Sequence, residues 1–154
     1  HSRDRAENPW ALRCLAGLDA RSGQAEQAAD RMVRAAGMKP IRPLILEALA
    51  RLYAVHRFGD MLSLMDSLPA ALQRLGRVKL WRVAALEGLG RSAEALALLT
   101  DSIVPADVRE GEVLLTELWF RLMAVKEKGS ASEEHVAWAH GALTPPEYLD
   151  FRMR

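Results

Sequence analysis

His135 and His140 are the residues whose types and spacing come nearest to a metal site. Zinc proteases place two histidines four residues apart on a helix, so that both face the metal ion. A separation of five residues turns the two side chains about 140° apart on a helix, which is poor geometry for two ligands of one ion. The pair is more typical of a capped surface helix with one half-buried histidine. The sequence therefore predicts no metal site.

Other candidate catalytic or phosphate-binding groups lack the partners that their chemistry needs. Cys14, the single cysteine, lies in a predicted helix without a nearby histidine, so we expect a packed thiol rather than a nucleophile. Gly88-Leu89-Gly90 is similar in part to a phosphate-binding loop, but no strand precedes it and a third glycine is missing. The run Arg109-Glu110-Gly111-Glu112 is typical of a helix start, where the helix dipole favours carboxylates. We therefore predict a protein that is not an enzyme and that uses no cofactor.

The composition is that of a globular domain built from helices. Half of the 154 residues are hydrophobic and 27% are charged, unlike a disordered chain. Alanine and leucine together supply 49 residues, and no stretch alternates with the period of a strand, so the predicted fold class is all-α.

Charge and cysteine content limit the partners and the compartment. The net charge of +1 gives no strong field that would attract nucleic acid or an anionic membrane. The apolar runs fall far short of the roughly 20 residues that a transmembrane helix needs. We therefore expect neither nucleic acid nor a membrane as partner. A single cysteine suits a reducing compartment, and we expect a cytoplasmic protein.

One residue pattern occurs twice, 34 residues apart. The segments ALARLYAVHRFGDMLSLM (48–65) and RVAALEGLGRSAEALALL (82–99) are identical at five of eighteen positions. Gly23, His56 and Gly90 hold corresponding positions at intervals of 33 and 34 residues, and His56 is expected to be an exposed turn residue. Such an interval is typical of helix–turn–helix units that stack because one unit cannot bury its own apolar faces.

In this register the chain resembles the tetratricopeptide repeat. That family has a small residue in the turn, a small residue five positions later, a bulky apolar residue four positions after that, and a closing proline. The matching residues are Gly23, Ala28, Met32 and Pro40 in the first unit and Gly90, Ala95 and Leu99 in the third, whereas the second has His56 and Met61 instead of small residues. The resemblance implies one domain, 1–154, forming a right-handed α-α superhelix of about three helical hairpins. These hairpins lie at about 9–40, 43–75 and 77–107, followed by a C-terminal capping hairpin at 112–154.

Capping residues, glycines and prolines place the helices independently. They predict helices at about 9–21, 24–36, 43–57, from 59 with a break near Pro69, 77–89, 92–102, 112–128 and from 133. Leu149 and Phe151 are apolar and follow the last helix, so we expect them to fold back onto the helix at 112–128.

The C-terminal third carries a second, more particular resemblance. The segments 104–112, 118–120, 145–146 and 149–153 resemble the end of an uncharacterised bacterial family. In that family a β-sandwich similar to galactose mutarotases precedes tetratricopeptide repeats. The resemblance implies that this chain is the C-terminal part of a larger protein whose sugar chemistry, if any, lies upstream.

Binding of a protein or peptide is the predicted function. In stacked hairpins the first helix of each pair lines the concave surface, and register places a set of side chains there, beside the small residues Gly17, Ala50 and Ala84. The predicted groove residues are Arg13, Glu47, Tyr53, Trp81 and Glu87. Tyr53 and Trp81 are the expected anchors of a peptide, and core packing is the open alternative for both.

A structural or dimerising appendage of an upstream carbohydrate-related domain is the alternative function. Such an appendage would act through a homodimer or an intramolecular contact. An apolar face outside the groove would favour this alternative.

Overall fold

The computed structural model describes residues 8–106, 108 and 112–153, and the regular structure of this part is entirely helical. The helices are α1 Pro9–Arg21, α2 Ala25–Met38, α3 Arg42–Ala54, α4 Phe58–Asp66, α5 Ala70–Gln73, α6 Gly76–Gly88, α7 Ser92–Leu98, α8 Leu114–Lys128 and α9 Glu133–Ala142, with 3₁₀ turns at Asp101–Ile103 and Glu147–Leu149. The predicted all-α class is confirmed.

The chain forms two compact units, the first ending at Leu72 and the second beginning at Gln73. In the first unit α1 packs against α2, α2 against α3, and α3 against α4. In the second unit α6 packs against α7, α8 packs against both α6 and α7, and α9 packs against α8.

Local signals at several helix ends act as the sequence predicts. The Asn8 side chain accepts a hydrogen bond of 2.8 Å from the backbone N–H of Trp10 at the start of α1, with Pro9 as the first helical residue. Ser132 caps α9 in the same way through the N–H of His135. Helix α4 ends at Asp66, three residues before Pro69, as the predicted break requires.

Helix α7 is shorter than predicted. It ends at Leu98 instead of continuing to residue 102, and the chain turns into the 3₁₀ segment Asp101–Ile103. This change of direction leaves the Ile103 side chain only 2% exposed. Burial of an isoleucine stabilises the second unit by about 1.5–3 kcal/mol, more than a further helical turn contributes by propensity alone.

Three helix ends share one backbone geometry at the repeat interval. Gly23, His56 and Gly90 have φ values of 79°, 59° and 74°, which lie in the left-handed region. The next residue in each case donates its N–H to the carbonyl five residues earlier, as in a Schellman C-cap. These bonds are Gln24 to Asp19 (2.8 Å), Arg57 to Leu52 (3.0 Å) and Arg91 to Leu86 (2.9 Å). His56 is exposed, as predicted, and it adopts the conformation that glycine supplies at the other two turns.

Replacing His56 with glycine is expected to raise the free energy of unfolding by about 0.5–1 kcal/mol, because glycine adopts positive φ without the steric cost of a Cβ atom. Chemical denaturation measures this change. Gly23→Ala is the matched reverse variant, because a Cβ there would meet no atom within 4 Å and its loss of stability would report the backbone alone. A His56→Gly protein no more stable than wild type would contradict the prediction.

The C-terminal segment folds back onto α8, as predicted. Leu149 is fully buried, and its carbonyl accepts a hydrogen bond of 2.5 Å from the buried Thr116 hydroxyl. The N–H of Phe151 donates to the same hydroxyl oxygen at 3.1 Å. The Tyr148 hydroxyl donates to the Leu99 carbonyl at 3.3 Å, which ties this segment to the end of α7 as well.

Candidate functional site

In the first unit an ion pair joins the first helices of two successive hairpins. Arg13 of α1 and Glu47 of α3 are 34 residues apart, and Arg13 Nε lies 2.5 Å from Glu47 Oε2. Glu47 also lies 3.6 Å from Arg51, one turn further along α3. The Glu47 carboxylate raises the pKa of Arg13 through this hydrogen bond and its charge. Two guanidinium groups therefore share one carboxylate on this surface.

The second unit repeats this arrangement. Glu87 of α6 and Arg121 of α8 are again 34 residues apart, with Arg121 Nε 3.1 Å from Glu87 Oε1. A second pair joins Arg77, near the start of α6, to Glu112, two residues before α8 begins, with Nη2 2.9 Å from Oε2. Both pairs span the contact between α6 and the N-terminal side of α8. Arg13, Glu47 and Glu87 were predicted on the groove, but their pairing was not, although opposite charges 34 residues apart in the sequence are its signal.

The two predicted aromatic anchors are both partly accessible within their own units. Tyr53 is half-buried, and its ring meets the edge of Phe58 with centroids 5.7 Å apart. Ala50, one turn earlier on α3, is exposed. Trp81 of α6 is half-buried. Both rings are therefore partly accessible, and the Tyr53 ring also packs against Phe58.

One of the expected groove residues lies in the core. Ala84 is fully buried, so it leaves no room for a ligand. The reason is that α6 is apolar nearly all round its circumference, and its neighbours cover most of it. The other buried side chains of α6 are Val78, Leu80, Val83, Ala85 and Leu86.

His135 and His140, the two residues considered as metal ligands, contact different side chains. His135 Nδ1 lies 2.7 Å from the Ser130 hydroxyl. His140 Nε2 lies 3.1 Å from a Glu117 oxygen, and its ring stacks on Phe120 with centroids 3.9 Å apart. In the described ranges no three His, Cys, Asp or Glu side chains converge on a point where they could hold a metal ion. The positions 109–111 of the predicted acidic cluster lie outside the described residues.

Helix α1 carries an exposed apolar stripe that was not predicted from the sequence. The stripe consists of Ala11, Cys14, Leu15 and Leu18, which lie on one face at helical spacing and are all exposed. Leu15 and Leu18 are 41% and 54% exposed. The expectation of a packed Cys14 thiol is wrong, because α1 turns Leu12 and Ala16 toward its neighbours and Cys14 to the opposite side.

Within residues 8–106, 108 and 112–153, no helix combines the length and the apolar character needed to cross a membrane. Comparisons with protein-family models, with curated proteins and with solved structures found no match for this chain. A function of this chain is therefore inferred from the geometry of the described surfaces.

Proposed function

We propose that the protein is a non-catalytic interaction domain that binds a peptide segment of a partner protein on the surface of its first helices. The observation that carries the proposal is the recurrence of Arg–Glu pairs between these helices at an interval of 34 residues, in both units. These pairs link neighbouring first helices whose positions are fixed mainly by packing against a shared helix, α2 in the first unit and α7 in the second. A fixed pair of helices presents a preorganised surface, and preorganisation lowers the entropic cost of binding.

The first unit supplies the better-defined surface for a peptide. Tyr53 offers part of an aromatic ring beside the exposed methyl group of Ala50, so an apolar side chain can pack there. Arg13 and Arg51 share the single carboxylate of Glu47, so these three side chains together carry one net positive charge. A peptide that carries an apolar side chain next to an acidic one matches this surface.

The test uses a random peptide library displayed on phage, selected against the whole chain, followed by calorimetry with the enriched synthetic peptide. Tyr53→Ala is expected to weaken binding about thirtyfold, since loss of an aromatic anchor costs about 2 kcal/mol. Trp81→Ala is the corresponding variant in the second unit. Tyr148→Ala replaces the chain's other tyrosine, and it should leave affinity unchanged.

Circular dichroism identifies the variants that remain folded, because Trp81→Ala truncates a half-buried side chain. If no peptide is enriched, or if a folded Tyr53→Ala protein binds the enriched peptide as tightly as wild type, this surface is not the binding site.

A dimerising appendage is the second candidate function, and the stripe on α1 favours it. Ala11, Cys14, Leu15 and Leu18 form an uncharged face over about two helical turns. An apolar face of this kind is typical of a surface that another protein surface covers. The resemblance of the C-terminal third implies an upstream carbohydrate-related domain as the rest of such an assembly.

A further inference from the structure

The second unit contains an open pocket between α7 and α8, with a volume of about 440 Å³. Ala93, Leu96 and Ala97 of α7 line it from one side, and Leu122 and Val125 of α8 line it from the other. This volume lies in the range of roughly 300–1,000 Å³ that is typical of small-molecule sites. The residues of the described Arg–Glu pairs between first helices do not line this pocket. The pocket is therefore separate from the proposed peptide surface.

The pocket exists because α7 places two alanines, four residues apart, where larger side chains would fill the gap. Ala93 and Ala97 are both exposed, while Leu122, which also lines the pocket, is buried. The lining therefore offers methyl and methylene groups to any ligand that enters. Apolar surface removed from water contributes about 25 cal/mol per Å², so an aliphatic chain gains free energy by entering.

Two polar side chains complete the lining, and one of them is a cation. They are Ser92 in the first turn of α7 and Lys126 in the last turn of α8. Lys126 is exposed, and in the described part of the chain it forms no ion pair. Other cations nearby are engaged, since Arg91 pairs with Glu94 at 2.7 Å and the Lys128 ammonium lies 4.4 Å from the Trp138 ring centroid. Lys126 is thus the cation available to a ligand in this pocket.

We propose that the pocket binds an amphipathic carboxylate, a medium-chain fatty acid. Its aliphatic chain lies between Leu96 and Leu122, and its carboxylate accepts hydrogen bonds from Lys126 Nζ. The charge of Lys126 selects an anion, and the mostly apolar lining selects a hydrocarbon chain over a polar metabolite. This ligand is independent of the peptide surface, so either proposal can fail without the other.

Isothermal titration calorimetry with decanoate, below its micellar concentration, tests the proposal on the whole chain. Wild type is expected to show saturable binding at one site. Lys126→Met keeps the apolar stem and removes the charge, and it should weaken binding about tenfold. Ala97→Phe fills the pocket from an exposed position and should abolish binding. The matched controls Lys128→Met and Ala137→Phe, both at exposed positions off the pocket, should bind like wild type.

Three results of the binding measurements would each overturn the proposal. The first is absence of saturable decanoate binding, and the second is binding that Ala97→Phe leaves intact in a protein of unchanged helicity. The third is decan-1-ol binding as tightly as decanoate, because a neutral head group would then suffice. Sedimentation velocity adds a further check, since a dimer that Ala97→Phe dissociates would assign the pocket to a second copy of the chain instead.

Discussion

Truncation after Thr144 is expected to lower the free energy of unfolding of the second unit by about 3–5 kcal/mol. The deletion removes the fully buried Leu149 and the buried Pro145. It also leaves the buried Thr116 hydroxyl without its two backbone partners, and it removes the hydrogen bond from Tyr148 to the end of α7. An unpartnered buried hydroxyl alone costs about 1–3 kcal/mol.

Thermal unfolding followed by circular dichroism measures this effect, and the midpoint is expected to fall by roughly 10 °C or more. Met153→Ala is the matched control, because the Met153 side chain is 81% exposed and should not affect stability. Leu149→Ala keeps the backbone of the segment, so it should reproduce part of the loss. An unchanged melting curve for the truncated chain would show that the segment does not stabilise the unit.

Those parts of the fold that depend on neighbouring residues in the chain could be predicted from the sequence. Asn8 and Ser132 cap helices through backbone groups two or three residues away, so their effect is local. The turn at Gly23 is local as well, because a Schellman cap needs one residue at positive φ. The same turn could be predicted at His56 from the repeat interval, although a histidine by itself does not indicate a left-handed conformation.

The choice of the buried face of a helix could not be predicted in the same way. Helix α1 has leucines at positions 12, 15 and 18, so apolar residues lie on two sides of it. Only the packing of α2 decides that Leu12 is buried while Leu15 and Leu18 remain exposed. Cys14 was misplaced for this reason. Ala84 was misplaced for a different reason, because a small residue suits either a groove or a close contact between two helices.

The residues of the candidate site could be predicted from the sequence, but the contacts between them could not. Opposite charges at positions 13 and 47, and at 87 and 121, are visible at the repeat interval. Their pairing follows once successive first helices lie side by side, as the distances of 2.5 Å and 3.1 Å show. The pocket beside Lys126 has no such signal, because it depends on the space that two alanines leave between helices distant in the chain.

Replacing Leu15 and Leu18 together with glutamate is expected to dissociate a dimer formed through the α1 stripe. A carboxylate held against an apolar partner surface loses its hydration without gaining a partner, so affinity should fall more than about a hundredfold. Sedimentation velocity over a range of concentrations measures the change. The control Leu89→Glu with Leu98→Glu alters two leucines of the second unit that are 44% and 39% exposed, and it should leave the dimer intact.

The position of Cys14 within the stripe gives a second measurement on the same dimer. A symmetric interface brings each surface patch against its own copy, so two α1 helices packed through this stripe bring their exposed Cys14 side chains near each other. Mild oxidation should then cross-link the wild-type chain, and the double glutamate variant should remain uncrosslinked. A wild-type protein that stays monomeric up to high concentration, and whose Cys14 resists cross-linking, would remove the second candidate function. The peptide surface around Tyr53 would then be the better supported of the two proposed interaction surfaces.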